Sequence, residues 1–273
     1  MEVKILEIND LSIRFILRGM PIPIANALRR IMIAQVPTLA IEDVFMIENS
    51  SSMDDEVLAH RLGLIPLKAD PDAYVLPEEC GCQSELGCAK CSILLTLDVE
   101  ASDSVRTVHS GELKSSAPEV IPVSDKIPLV KLAPGQRLQL EAYARLGRGE
   151  THAKWQPTSA CTYKYLPVVS IDYKKCDACK KCVDVCPKDV LKVDEDKLII
   201  VDLERCSLCK DCEKVCPQHP SAIKVGWAKD AVEFFVESAG ALKPERIVGD
   251  AIKILRNKTD ELMASFVNEK GRR

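Results

Sequence analysis

Eight of the thirteen cysteines fall into two near-identical blocks. Cys176, Cys179, Cys182 and Cys186 precede Pro187, and Cys206, Cys209, Cys212 and Cys216 precede Pro217, so CxxCxxCxxxCP is written twice, thirty residues apart. Each block offers three thiolates on one tight loop and a fourth at the start of the next element, the spacing that holds a cubane iron-sulfur cluster. Two [4Fe-4S] clusters are expected, with a three-iron form of one left open. Where two such clusters share a domain the fourth cysteine crosses over. Cys176, Cys179, Cys182 and Cys216 would then hold one cluster, and Cys206, Cys209, Cys212 and Cys186 the other. Disulfides suit small secreted domains, whereas Met1 to Asp10 carries Glu2, Lys4, Glu7 and Asp10 and no long apolar run. A reducing cytoplasm is implied. Zinc would need two CxxC pairs and no trailing Cys-Pro.

A second candidate is Cys80, Cys82, Cys88 and Cys91, written CxCx5CxxC. Four nearby thiolates suit a closed tetrahedral zinc site. The single residue between the first pair keeps open the alternative of cysteines without metal. Cys161 stands alone and reads as a small buried apolar residue. The acidic run Asp54, Asp55, Glu56 is explained by an exposed helix start, and the chain shows no triple-aspartate magnesium loop of the kind that metal-assisted phosphoryl transfer needs.

The chain that must position these cysteines has 273 residues, 47% hydrophobic and 29% charged, with a formal net charge of −4. That length allows one to three domains. The mild acidity argues against a free-standing nucleic-acid binder, and no apolar stretch approaches the ~20 residues of a membrane span. Leu11, Ile13, Phe15 and Leu17 alternate with polar residues as a half-buried strand does, and Gly19 ends it. After Pro21 and Pro23, Ile24, Ala27, Leu28 and Ile31 form a helical stripe that Pro37 closes. Residues 39–47 read as strand, 54–62 as a short helix, and 93–99 and 137–144 as strands of a β-rich middle region. Val232, Phe234 and Val236 alternate with Glu233 and Glu237, Gly240 turns the chain, and Pro244 opens a long helix. Along it Val248, Ile252, Leu255, Thr259, Leu262 and Phe266 are spaced alternately four and three apart. This seam suits a partner helix, although packing inside the same domain remains open because periodicity fixes a face and not what it meets.

Several segments carry a resemblance. Asn26-Ala27-Leu28-Arg29-Arg30-Ile31, Ile41-Glu42-Asp43-Val44, His60-Arg61-Leu62-Gly63-Leu64-Ile65-Pro66-Leu67 and His152-Ala153-Lys154-Trp155-Gln156-Pro157 resemble, in that order, the signature of the D-type subunit family of archaeal RNA polymerase. That family is related to the third-largest subunit of eukaryotic polymerase II and to the bacterial alpha subunit. The resemblance spans essentially the whole chain, and many archaeal members carry a ferredoxin-like insertion where the double motif lies here.

The resemblance implies an α+β fold: an alpha-subunit-like dimerisation domain (1–40, 158–171 and 226–273), an inserted β-rich domain (41–157) and an inserted ferredoxin-like domain (172–225). It implies a non-catalytic assembly platform that heterodimerises with subunit L through Asn26, Leu28, Arg29, Arg30 and Ile31 on one helix and Val248, Ile252, Leu255, Leu262 and Phe266 on the other. Subunits N and P and the second-largest subunit would follow. Nucleic acid would be met only through the complex, a nucleotidyltransferase to which this chain brings no catalytic residue. The competing reading is a ferredoxin-type electron-transfer subunit of an oxidoreductase. Against it, residues 172–222 hold eleven acidic and ten basic side chains, too balanced for electrostatic steering to a redox partner, and no GxGxxG stretch is present.

Overall fold

The computed structural model describes the backbone of residues 1–270 and the side chains through Phe266. A four-stranded sheet runs in the order Glu2–Ile8, Ser12–Arg18, Ile223–Ser238, Thr158–Ile171. A second runs Thr38–Asn49, Arg137–Gly147, Ser92–Glu100, Lys114–Ser115. By packing, the chain divides into two compact units. One comprises Met1–Leu6, Arg14–Ala25 and Thr162–Phe234, and the other Glu7–Ile13, Asn26–Cys161 and the chain from Phe235 onward.

In the second unit, strict alternation builds the sheet. Leu138, Leu140, Ala142, Ala144 and Leu146 are buried along one strand, and Ile93, Leu95, Leu97 and Val99 along its neighbour. Leu140 pairs with Leu97 and Ala142 with Leu95, so both rows of side chains enter one core. Leu58 and Leu62, on the helix Asp55–Gly63, and Leu129 and Leu132 close that core. Asp55 and Glu56 occupy this helix's first turn, and Asn49 Nδ2 donates to Asp55 Oδ1 at 2.7 Å. The acidic run thus serves a helix start. The 152–157 segment locks the strands behind it. Thr38 Oγ1 donates to the Trp155 carbonyl at 2.8 Å, and Trp155 Nε1 donates to the Arg145 carbonyl at 3.1 Å. Lys154 lies 4.4 Å from the Trp155 ring centroid and pairs with Glu42. A Cβ on Gly147 would come within 2.3 Å of Trp155, so only glycine fits.

The helix after Pro21 spans Ile22–Ala34. Its buried side is Ala25, Leu28, Ile31 and Met32, while Ile24 is exposed. The stripe is therefore rotated from the one expected. Asn26, Arg29 and Arg30 share one side and the apolar residues cover the wide remainder, so more than one apolar face satisfies the helical period. The expected partner-facing set needs correction accordingly, because Leu28 and Ile31 are taken up by this chain's own packing. Asn26 and Arg29 are half-buried and Arg30 is exposed.

The C-terminal helix spans Pro244–Lys270. Ile247 and Ala251 are fully buried and anchor its first half. Asp250, also buried, is ion-paired to Arg246 and to Lys253. The seam runs along another face: Val248 and Leu255 are half-buried, and Ile252, Leu262 and Phe266 are 53%, 58% and 64% exposed. No helix among the described residues is long and apolar enough to cross a membrane.

In the first unit, Phe15 stacks on Phe234 at 5.2 Å, and Tyr163 meets the same ring at 5.5 Å. The segment carrying the double motif has two short helices, Lys181–Asp184 and Asp211–Lys214, and a hairpin, Leu191–Asp194 with Lys197–Ile200. Glu195 and Asp196 turn that hairpin with φ of 41° and 63°, the paired positive values of a two-residue loop.

Candidate metal centres

The eight motif cysteines line two separate pockets. Cys176, Cys179, Cys182 and Cys216 line one, and Cys206, Cys209, Cys212 and Cys186 line the other. The exchange of the fourth cysteine between repeats is thus built into the backbone path. Equivalent positions in the two loops take the left-handed conformation: Ala178 and Lys180 at φ 54° and 64°, Leu208 and Lys210 at 61° and 64°. Non-glycine residues adopt it at a cost of about 1–2 kcal/mol each. Such turns direct successive backbone N–H groups toward one centre, an arrangement suited to an anionic ligand.

The crossing cysteines are held further. The Val190 N–H donates to Cys186 Sγ at 3.5 Å, and the Ala222 N–H donates to Cys216 Sγ at 3.4 Å. Burial pushes the Cys212 thiol up to about 11, followed by the charges of Cys209, Cys186 and Cys206. Burial likewise raises Cys182, with Cys176, Cys179 and Cys216 adding to the shift. The repelling groups are in each case the members of one pocket. Four thiolates lining one pocket repel one another unless a cationic core lies between them. The apolar support is thin, centred on Leu191, Leu198 and Ile223.

The four-thiol loop has tighter geometry. Cys80 Sγ lies 3.8 Å from Cys88 Sγ, Cys82 Sγ 3.8 Å from Cys91 Sγ, and Cys88 Sγ 3.9 Å from Cys91 Sγ, with all four ligand atoms within 4.8 Å of one another. A tetrahedral ion with bonds of about 2.3 Å to sulfur has edges of about 3.8 Å, so the spacing fits one zinc ion. The Cys88 N–H donates to Cys91 Sγ at 3.2 Å. The Cys82 thiol is lowered to about 7, first by a backbone hydrogen bond from Ser84 and then by Cys80. Gly87, at φ +83°, is required because a Cβ there would sit 2.6 Å from the Ser92 Cβ. Arg145 ties the loop to the sheet: its Nη2 donates to the Glu85 carbonyl at 2.5 Å and lies 2.8 Å from Asp43. Arg145 is not legible as a site residue in the sequence, since nothing in its local pattern sets it apart. Cys161 is buried, as expected, and its thiol is pushed up to about 12 by burial.

A family model described as the RNA polymerase Rpb3/RpoA insert domain matches residues 41–171, and one described as a 4Fe-4S dicluster domain matches residues 175–219. The chain is 42% identical over 271 residues to the DNA-directed RNA polymerase subunit Rpo3 of Methanosphaera stadtmanae, covering 98% of this chain and 99% of that one. It is 44% identical over 266 residues to the Rpo3 of Methanothermobacter thermautotrophicus, covering 96% and 98%. The DNA-directed RNA polymerase II subunit rpb3 of Dictyostelium discoideum is 38% identical over 291 residues, covering 97% and 94%. These relatives give no support to the oxidoreductase reading. Full-length similarity of this degree, together with the matched insert domain, establishes that the chain belongs to the Rpo3/Rpb3 family of DNA-directed RNA polymerase subunits.

Proposed function

We propose that the chain is a non-catalytic assembly platform of the polymerase, a heterodimer half that pairs with subunit L and then recruits subunits N and P and the second-largest subunit in the cytoplasm. One observation carries this reading. The C-terminal helix presents Ile252, Leu262, Met263 and Phe266, all more than half exposed, while its other side is already anchored by Ile247 and Ala251. A helix this apolar and this open suits a helical partner. Val248 and Leu255 border the same surface, and Asn26, Arg29 and Arg30 supply polar groups on the other helix. The domains of this reading are 1–40, 158–171 and 226–273 for dimerisation, 41–157 for the β-rich insert and 172–225 for the ferredoxin-like module. The nucleotidyl transfer belongs to the complex.

The iron-sulfur chemistry is architectural in this proposal. Each quartet would hold one [4Fe-4S] cluster, and each cluster would supply thiolate bonds joining segments far apart in sequence. The module has too small an apolar core to hold its loops by burial alone, so cluster binding and folding are coupled. Assembly thereby becomes sensitive to oxidants. Cys80, Cys82, Cys88 and Cys91 would hold structural zinc. Anaerobic co-purification with subunit L, with iron, sulfide and zinc counted per chain, tests partner and metals together. Eight irons and one zinc in a stable heterodimer is the expected result, and a solitary monomer overturns the platform reading.

A further inference from the structure

The strand that carries Phe234 also buries a charge. Glu233 is 4% exposed, and its two oxygens meet two cations from neighbouring strands. Arg14 Nη2 donates to Oε1 at 2.7 Å, and Lys164 Nζ lies 2.9 Å from Oε2, off the hydrogen-bonding direction. A buried carboxylate is tolerated only when paired. Here the pairing has a second effect, because it holds the lysine head in one place. A surface lysine otherwise samples many rotamers. From that place Lys164 Nζ donates to the main-chain carbonyl of Glu204 at 2.7 Å. Glu204 is the middle residue of the single turn Leu203–Arg205, which ends at Cys206, whose N–H donates to the Leu203 carbonyl at 3.1 Å. Lys4 reaches the Glu204 carboxylate from the first strand at 3.6 Å.

The first repeat is built differently at the matching place. There the turn follows directly on the strand Thr158–Ile171 and is held by the main chain: the Asp172 N–H donates to the Ala222 carbonyl at 2.7 Å, the Cys176 N–H donates to the Asp172 carbonyl at 3.0 Å, the Lys174 N–H donates to Asp172 Oδ1 at 3.1 Å, and Lys175 pairs with Asp172 at 3.6 Å. We infer that Lys164 is a positioning residue for the second cysteine quartet: held by buried Glu233, it fixes the turn that presents Cys206, so the centre formed by Cys186, Cys206, Cys209 and Cys212 is braced by a side chain from the sheet, where the other is tied through the main chain. This rests on the reading that the quartets hold iron-sulfur clusters. The two sites, alike in motif, then differ in what holds their first cysteine, and only the second depends on a lysine.

The test uses the full chain, reconstituted anaerobically, and follows iron release to an excess of chelator by the loss of cluster absorbance. Lys164→Met is placed in two backgrounds: C176S/C179S/C182S, which leaves the braced quartet, and C206S/C209S/C212S, which leaves the other. A charge-assisted hydrogen bond at a partly exposed site is worth about a fivefold change in rate. Release about fivefold faster in the first background, no change in the second, and recovery with Lys164→Arg are expected. Glu233→Gln, which frees the lysine without removing it, should reproduce the effect more weakly. Equal acceleration in both backgrounds, or none in the first, overturns the inference while leaving the clusters in place. A wild-type chain that binds no iron or sulfide overturns the underlying reading and the inference with it.

Discussion

Replacing Phe266 with alanine should weaken binding of subunit L without weakening the fold. An aromatic side chain buries about 150–250 Å² when fully covered, and Phe266 is 64% exposed in the isolated chain. A partner could therefore cover about 100–160 Å², worth about 2.5–4 kcal/mol at 25 cal/mol per Å². Alanine keeps part of that contact, so the net loss is about 2–3 kcal/mol, or about a 30- to 150-fold rise in Kd. Because the ring contributes little to internal packing, the unfolding free energy should shift by no more than about 0.5 kcal/mol. Calorimetric titration of L into the variant measures the first quantity and denaturant unfolding the second. Phe45→Ala provides the control. That ring is also exposed, at 47%, but sits on the β-rich insert against Tyr143, 5.7 Å away, and its removal should leave L affinity unchanged. Wild-type affinity in Phe266→Ala would refute the assignment of the seam, as would equal losses in the two variants.

Four other outcomes are expected. Serine at Cys176, Cys179 and Cys182 together should abolish one cluster's absorbance and keep part of the other's, and equal loss of both would mean the sites are not separable. Chelation of iron, or exposure to oxygen, should unfold roughly residues 172–225 while leaving the partner helices paired, as hydrogen exchange would show; exchange spreading equally into residues 244–266 would contradict it. Cys88→Ser should eliminate the zinc counted per chain by atomic spectroscopy and leave iron unchanged, whereas Leu95→Ala, at a fully buried core position, should cost about 2–5 kcal/mol of stability in denaturant unfolding without touching either metal.

Much of this protein is local in the chain and therefore legible there. The cysteine spacing names the chemistry because three ligands of each site come from one loop. The strand Arg137–Gly147 and the helix Pro244–Lys270 follow from periods of two and of three to four residues, since each such element has one face in a core. Folding decided what depends on distant residues. It chose Ala25 and Met32 over Ile24 for the buried side of the first long helix, because within a wide apolar arc only what packs on the helix fixes its rotation. It drew four loop thiols to the edge lengths of a zinc tetrahedron, which an unusual CxC spacing could not promise. It also set Glu233 beside Arg14, 219 positions earlier in the chain. No periodicity records a charge that becomes tolerable to bury only once its counter-ions arrive from other strands.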